Sequence, residues 1–148
     1  MRLWHKGLLS ALPDKKLLTL WHDCCTIARN LDLIGTPNDM YVNRITEYPL
    51  SHFYAYTMLV VDEIGHRGIA VTATSYMKFE DHIFKAVDKS SVVEDDVSYD
   101  AIFYDWHDDR YLWQCMSMLE EEFDCGGITI DDWQKVQDIA LLYTSPFE

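Results

Sequence analysis

The alternation of apolar and polar positions is clearest between Leu12 and Arg29, in the stretch LPDKKLLTLWHDCCTIAR. Leu17, Leu18, Trp21, Cys24, Cys25 and Ala28 recur at steps of three and four residues, the spacing of an amphipathic helix with one buried stripe. Pro13 and Asp14 suit its start, Asp14 by capping free N–H groups and by its charge at the positive end of the dipole. The opposite face carries Lys15, Lys16, Thr19, His22, Asp23, Thr26 and Arg29, so one carboxylate, Asp23, stands among several cations. Upstream, Leu3, Trp4, Leu8 and Leu9 are apolar enough to tie the N-terminus into the core beside this helix.

A second helix is predicted from Pro49 to about His66, with Gly68 suited to its end. Its apolar residues, among them Phe53, Met58, Val60 and Ile64, cover more than one face, which predicts the central, most buried helix. Gly35, Pro37, Asn38 and Asp39 are turn formers in the connection over residues 31–46. Ile69 to Thr74 suits an extended segment, Met77 to Val87 a short helix, and Lys89 to Asp100 an exposed acidic loop. A third helix is predicted from about Asp105 to Phe123, stopped by Gly126-Gly127. A fourth follows Thr129, where an acid at the third helical position makes a variant of the capping box. The expected class is all-α, a single-domain compact bundle of about four helices with long irregular connections.

With 148 residues, 49% hydrophobic and 14% aromatic, the chain is large enough for a core of its own. Its net charge of −13 argues against a generic nucleic-acid binder, because affinity for DNA rests largely on cations at phosphates. The charge is uneven, though. Residues 1–50 hold six cations against five acids, and the remainder hold six against twenty. Apolar runs such as Met58 to Val61 are far too short to span a bilayer, and Lys6, Asp14, Lys15 and Lys16 interrupt any signal-peptide core, so a cytoplasmic protein with no membrane partner is expected.

The four cysteines form no CxxC pair and read as buried free thiols. No glycine-rich phosphate loop and no G-x-S-x-G elbow is present, and no cofactor is expected. His5, His22, Asp23 and His107-Asp108-Asp109 are metal-ligand types. Neighbours in sequence point in different directions, however, and none of these residues repeats at i, i+4, so no metal is expected.

Met1-Arg2-Leu3-Trp4, followed by Trp21-His22-Asp23 on the first helix, resembles the pyrimidine-dimer DNA glycosylase family, the endonuclease V type of phage and its bacterial relatives. Ser10, Leu12, Asp14 and Leu17 fall in step with the phage type. Tyr48 to Gly68 and His107 to Leu112 are similar to the bacterial relatives. The resemblance implies one small helical domain over residues 1–148, acting on damaged double-stranded DNA at a pyrimidine dimer or an abasic site. It implies a glycosylase and AP lyase whose nucleophile is the amine of the first residue, forming an imine at the sugar C1′. Arg2 is too large for removal of the initiator, so that residue is Met1. An α-amine has a reference pKa of about 7.7–8.0, which leaves a useful neutral fraction at physiological pH.

Asp23 stands where the family has its key Glu, one methylene shorter, and His22 stands where it has an Arg. Asp23 is thus the expected catalytic acid. Arg2, Lys15, Lys16, Arg29 and Arg44 are the expected phosphate contacts, and His5 and His22 join them as polar contacts, with Trp4 and Tyr41 for stacking. The two departures and the acidic remainder keep a second reading open: a non-catalytic acidic interaction protein that keeps the fold and engages a protein partner.

Overall fold

The computed structural model describes residues 1–143. Among them it has six α-helices and no strand: α1 (Asp14–Ile34), α2 (Leu50–His66), α3 (Ala73–Ala86), α4 (Lys89–Val93), α5 (Asp109–Asp124) and α6 (Ile130–Tyr143). Single 3-10 turns lie at Lys6–Ala11, Asn43–Glu47 and Tyr99–Ala101. The all-α class is as expected, and α2 runs over the expected residues, but several elements differ.

The connections hold more helix than the sequence pattern suggests, and local capping explains why. Thr72 accepts the Ser75 N–H at 3.2 Å and starts α3 four residues before Met77. Asp88 accepts the Ser90 N–H at 3.1 Å and starts α4, which buries Val92, so residues 89–100 are not simply an exposed loop. Asp108 accepts the Tyr111 N–H at 2.9 Å, which delays α5 to Asp109 and leaves 105–108 in a turn. Thr129 caps α6 as expected, accepting the Asp132 N–H at 3.1 Å. Residues 69–72 have no partner strand and are irregular.

Two expectations for α1 are corrected. Its buried stripe is Leu17, Leu20, Trp21, Cys24, Ile27 and Ala28, rotated so that Leu18 and Cys25 are only half buried. Asp14 makes no cap. It pairs instead with Arg67 at 2.9 Å, and the same guanidinium donates to the carbonyls of Leu12 and Leu9. The helix also continues past Arg29 to Ile34, where Gly35 with φ +73° ends it. α1 packs against α2 and α3 through Trp21, Phe53 and Phe79, whose rings lie 5.6–6.0 Å apart. α2 packs against α1, α4 and the first two 3-10 turns, as befits a central helix. The four cysteines are free, and burial raises the Cys24 thiol far above its ordinary value and Cys25 to about 11.

Residues 3–6 are buried with the core, while Met1 is exposed and Arg2 half buried. Leu3 is fully buried, worth roughly 1.5–3 kcal/mol, which matches or exceeds the roughly 1–2 kcal/mol needed to order one residue's backbone. The Tyr111 hydroxyl donates to the Leu3 carbonyl at 2.5 Å, and the Tyr56 hydroxyl to the Trp4 carbonyl at 2.6 Å. The Lys6 ammonium is buried and donates to the carbonyls of Tyr99, Asp100 and Ile102. His5 and His107 stack with centroids 5.3 Å apart. The Lys6 N–H donates to His107 Nδ1 at 2.9 Å, so the His107 proton sits on Nε2, which is buried without an oxygen or nitrogen partner among surrounding aromatic rings.

Burial lowers the pKa of His5, of His52 and most strongly of His107, so the fold prefers the three imidazoles neutral. Their contribution to stability is complete above the unfolded-state value of about 6.5 and is lost as pH falls below it toward the folded-state values. Thermal melts should therefore show Tm falling from pH 7 to pH 5, by roughly 2–4 °C for each kcal/mol lost. A Tm that is flat or rises over that interval would contradict the neutral assignment.

Candidate active site

The ordered N-terminal arm delivers the Met1 amine to the surface between α1 and the turn that follows it. Asn30 on α1 donates to the Pro37 carbonyl at 3.0 Å and folds that turn back along the helix. Asn38 takes φ +58°, a left-handed conformation that Asn tolerates. Asp39 then serves two partners. Its Oδ1 accepts the Tyr41 N–H at 2.9 Å, and its Oδ2 meets the Met1 amine at 3.2 Å.

Asp23 projects from α1 on the stripe that also carries Lys16 and Thr19. It is half buried in a cavity of about 330 Å³ lined by Arg2, Trp4, Lys15 and Lys16 as well. Its carboxyl interacts electrostatically with both the Met1 amine and Asp39. The environments of the two acids differ. Burial pushes the Asp23 pKa up, Asp39 adds to that rise, and the amine only partly opposes it. Asp39 experiences some desolvation, but the Tyr41 N–H and the amine outweigh it and hold its carboxyl below the usual range. One carboxylate, Asp39, thus pairs with the amine, and a second, Asp23, lies outside ion-pair distance but within its electrostatic reach, with pKa values moved in opposite directions, an arrangement suited to dividing the work of charge stabilisation and proton transfer.

Arg2 forms the wall between this cavity and a larger one of about 850 Å³ that contains Tyr41, Arg44, Asp108, Arg110 and Tyr111. The Arg2 guanidinium lies 5.8–5.9 Å from the rings of Trp4, Tyr41 and Tyr111. It has no carboxylate within ion-pair distance among the described residues. An unneutralised cation fixed by aromatic rings is well prepared for a phosphate.

The remaining expected contacts divide into four groups. Lys15 is exposed at the mouth of the smaller cavity. Lys16 lies 5.6 Å from the Trp4 ring centroid but is paired with Glu122, and Arg44 is paired with Glu47 and Asp105, so acids offset part of the positive charge. His22 and Arg29 are exposed on a neighbouring stripe of α1, outside both cavities. His5 is corrected: it is buried, its Nδ1 accepts the Gly7 N–H, and its Nε2 is engaged by the His107 carbonyl, so it is a structural residue without access to a ligand.

Asp39 and Arg110 were not among the expected site residues. Asp39 carried only a turn signal, and nothing in local spacing links it to an amine 38 positions earlier. A separate cleft around Arg67 lies apart from the amine, and its guanidinium is already held by Asp14 and Glu63. Among the described residues no group of three His, Cys, Asp or Glu side chains converges as a metal set, and no helix is long and apolar enough to cross a membrane.

Residues 1–77 match the family model described as pyrimidine dimer DNA glycosylase. No curated protein and no solved structure matches the chain.

Proposed function

The chain belongs to the pyrimidine dimer DNA glycosylase family, and we propose that it acts on damaged double-stranded DNA as a glycosylase and AP lyase through the Met1 amine. The observation that supports this reading is the contact of the amine with Asp39 at 3.2 Å, with Asp23 within electrostatic reach and Arg2 free of any carboxylate partner among the described residues.

The chemistry assigns each group a task. A protonated amine has no lone pair to offer, so its proton must leave before attack. Asp23, the more basic of the two carboxylates, is the group suited to receive it. The nitrogen then attacks the sugar C1′ as the bond to the base breaks, the base leaving with a proton, and opening of the C1′–O4′ ring bond, with O4′ taking up a proton, leaves an iminium. At an abasic site the same nitrogen condenses with the aldehyde and water leaves. Asp39, ionised and within 3.2 Å of the nitrogen, balances the positive charge of the iminium. A proton lost from C2′ and departure of the 3′ phosphate complete strand cleavage, and hydrolysis returns the amine. Arg2, Arg110 and Lys15, with Arg44 partly offset by Glu47 and Asp105, are the groups that would meet phosphates around the lesion.

Borohydride reduces the iminium to a stable amine and so traps the complex. Incubation of the full chain with duplex DNA carrying an abasic site, at low salt, should give a covalent product whose protease fragments place the adduct on Met1. The absence of a trapped product, or an adduct on a lysine, defeats the assignment. In the first case the non-catalytic reading takes its place, favoured by the Lys16–Glu122 and Arg44–Asp105 pairs that blunt the positive face.

A further inference from the structure

Chemistry at a sugar or base inside a duplex requires the target nucleotide to leave the base stack, and the space it leaves has to be filled. The turn after Asp39 carries a side chain suited to that task. Met40 is 81% exposed and Tyr41 58% exposed, adjacent to each other. Neither serves as the apolar anchor of this segment, which is Val42, fully buried two residues on, followed by Ile45.

The turn is stiff. The Asp39 N–H donates to Asn43 Oδ1 at 3.0 Å, the Asn43 N–H returns to the Asp39 carbonyl at 2.8 Å, and Thr36 accepts the Asn38 N–H at 3.2 Å. Its exposed apolar tip is therefore held in place while its preceding residue grips the reactive amine. Cations share its surroundings with two acids, Asp105 and Asp108, of which Asp105 pairs with Arg44. Arg2 sits 5.9 Å from the Tyr41 ring centroid, Arg44 and Arg110 share the larger cavity with Met40 and Tyr41, and Lys15 borders the smaller one.

We propose that Met40, backed by Tyr41, is a wedge that enters the base stack of duplex DNA and occupies the place of the displaced nucleotide. The inference rests on the glycosylase reading and adds the element that opens the duplex. An unbranched, polarizable thioether fills the gap between two base planes, and apolar side chains of this kind unstack a base step when flanking cations hold the phosphates. The rest of the chain, with six cations against twenty acids beyond residue 50, repels DNA, so the flanking cations also fix which face approaches it. Charge complementarity therefore selects DNA over an acidic protein as the occupant of this tip.

The test uses the full chain with an abasic site beside a 2-aminopurine, once in duplex and once in single-stranded DNA. The wild type should raise 2-aminopurine fluorescence on binding the duplex, because the probe loses its stacking. Met40→Ala should lose that rise and lower borohydride trapping on duplex about tenfold, with a much smaller effect on the single strand, where no stack has to be opened. Met77→Ala, which removes an exposed methionine on α3 outside both cavities, should follow the wild type.

Equal losses on both substrates, or no loss on duplex, would overturn the wedge while leaving the amine chemistry intact. A wild type that binds duplex with no change in fluorescence would overturn it too. A wild type that traps neither substrate but shows a Met40-dependent fluorescence rise would defeat the imine reading and support the wedge. Loss of DNA binding in every arm, with retention of a protein from the same extract, would overturn both.

Discussion

Asp23→Asn should reduce borohydride trapping on abasic DNA by about 10²–10⁴-fold, the usual range for removing a positioned acid–base group, while leaving the fold intact or slightly firmer. The second half of that expectation follows from the sign of the shift. Burial raises the Asp23 pKa, so the folded state disfavours its charged form, and at neutral pH an uncharged isostere relieves the penalty. A residue kept for structure would show the reverse, with Tm and activity falling together. Asp39→Asn provides the contrast, because that carboxylate is held low by the Tyr41 N–H and the amine, and its loss disturbs the turn as well as the nitrogen. Trapping by Asp23→Asn within a few-fold of wild type, with an unchanged Tm, would remove Asp23 from the chemistry.

Blocking the amine should have the largest effect of all. Acetylation of Met1, or extension of the chain by a single residue before it, should abolish trapping and strand cleavage altogether. Capping removes the nucleophile, and extension moves the new amine by up to about 3.6 Å, when misplacement by about 1 Å can cost roughly a hundredfold. DNA binding should survive acetylation, because Arg2, Arg44 and Arg110 are untouched. Strand cleavage at wild-type rate by a chain shown by mass to be fully acetylated would end the Met1 assignment.

What the sequence could disclose follows from how local each signal is. The stripe of α1, the Pro49–Gly68 bounds of α2 and the Thr129 cap are decided within a turn or two of helix, and they were legible apart from a rotation that exchanged Leu18 and Cys25 for Leu20 and Ile27. The start of α5, expected at about Asp105, was misplaced because the cap is Asp108 and a turn at Phe103 with φ +51° precedes it, which packs that ring at the centre of an aromatic cluster. At the candidate site, the roles proposed for Met1, Arg2 and Asp23 could be read from the resemblance at the triplet and the N-terminus. Asp39 could not, because its role comes from Asn30 folding the intervening turn back onto the helix. His5 was misjudged for a related reason: its partner is His107, and no pattern near residue 5 announces a neighbour 102 positions away.

The hydroxyls of Tyr56 and Tyr111 that grip Leu3 and Trp4, and the His107 ring that meets Lys6, belong to segments made long after the residues they hold. On the ribosome, the first dozen amino acids therefore emerge with nothing to grip. The Met1 nitrogen takes up its place only when some hundred further residues have been synthesised and folded back. Ordering of the N-terminal arm is thus tied to synthesis of most of the polypeptide, and a nascent or prematurely terminated chain carries that arm without its anchors.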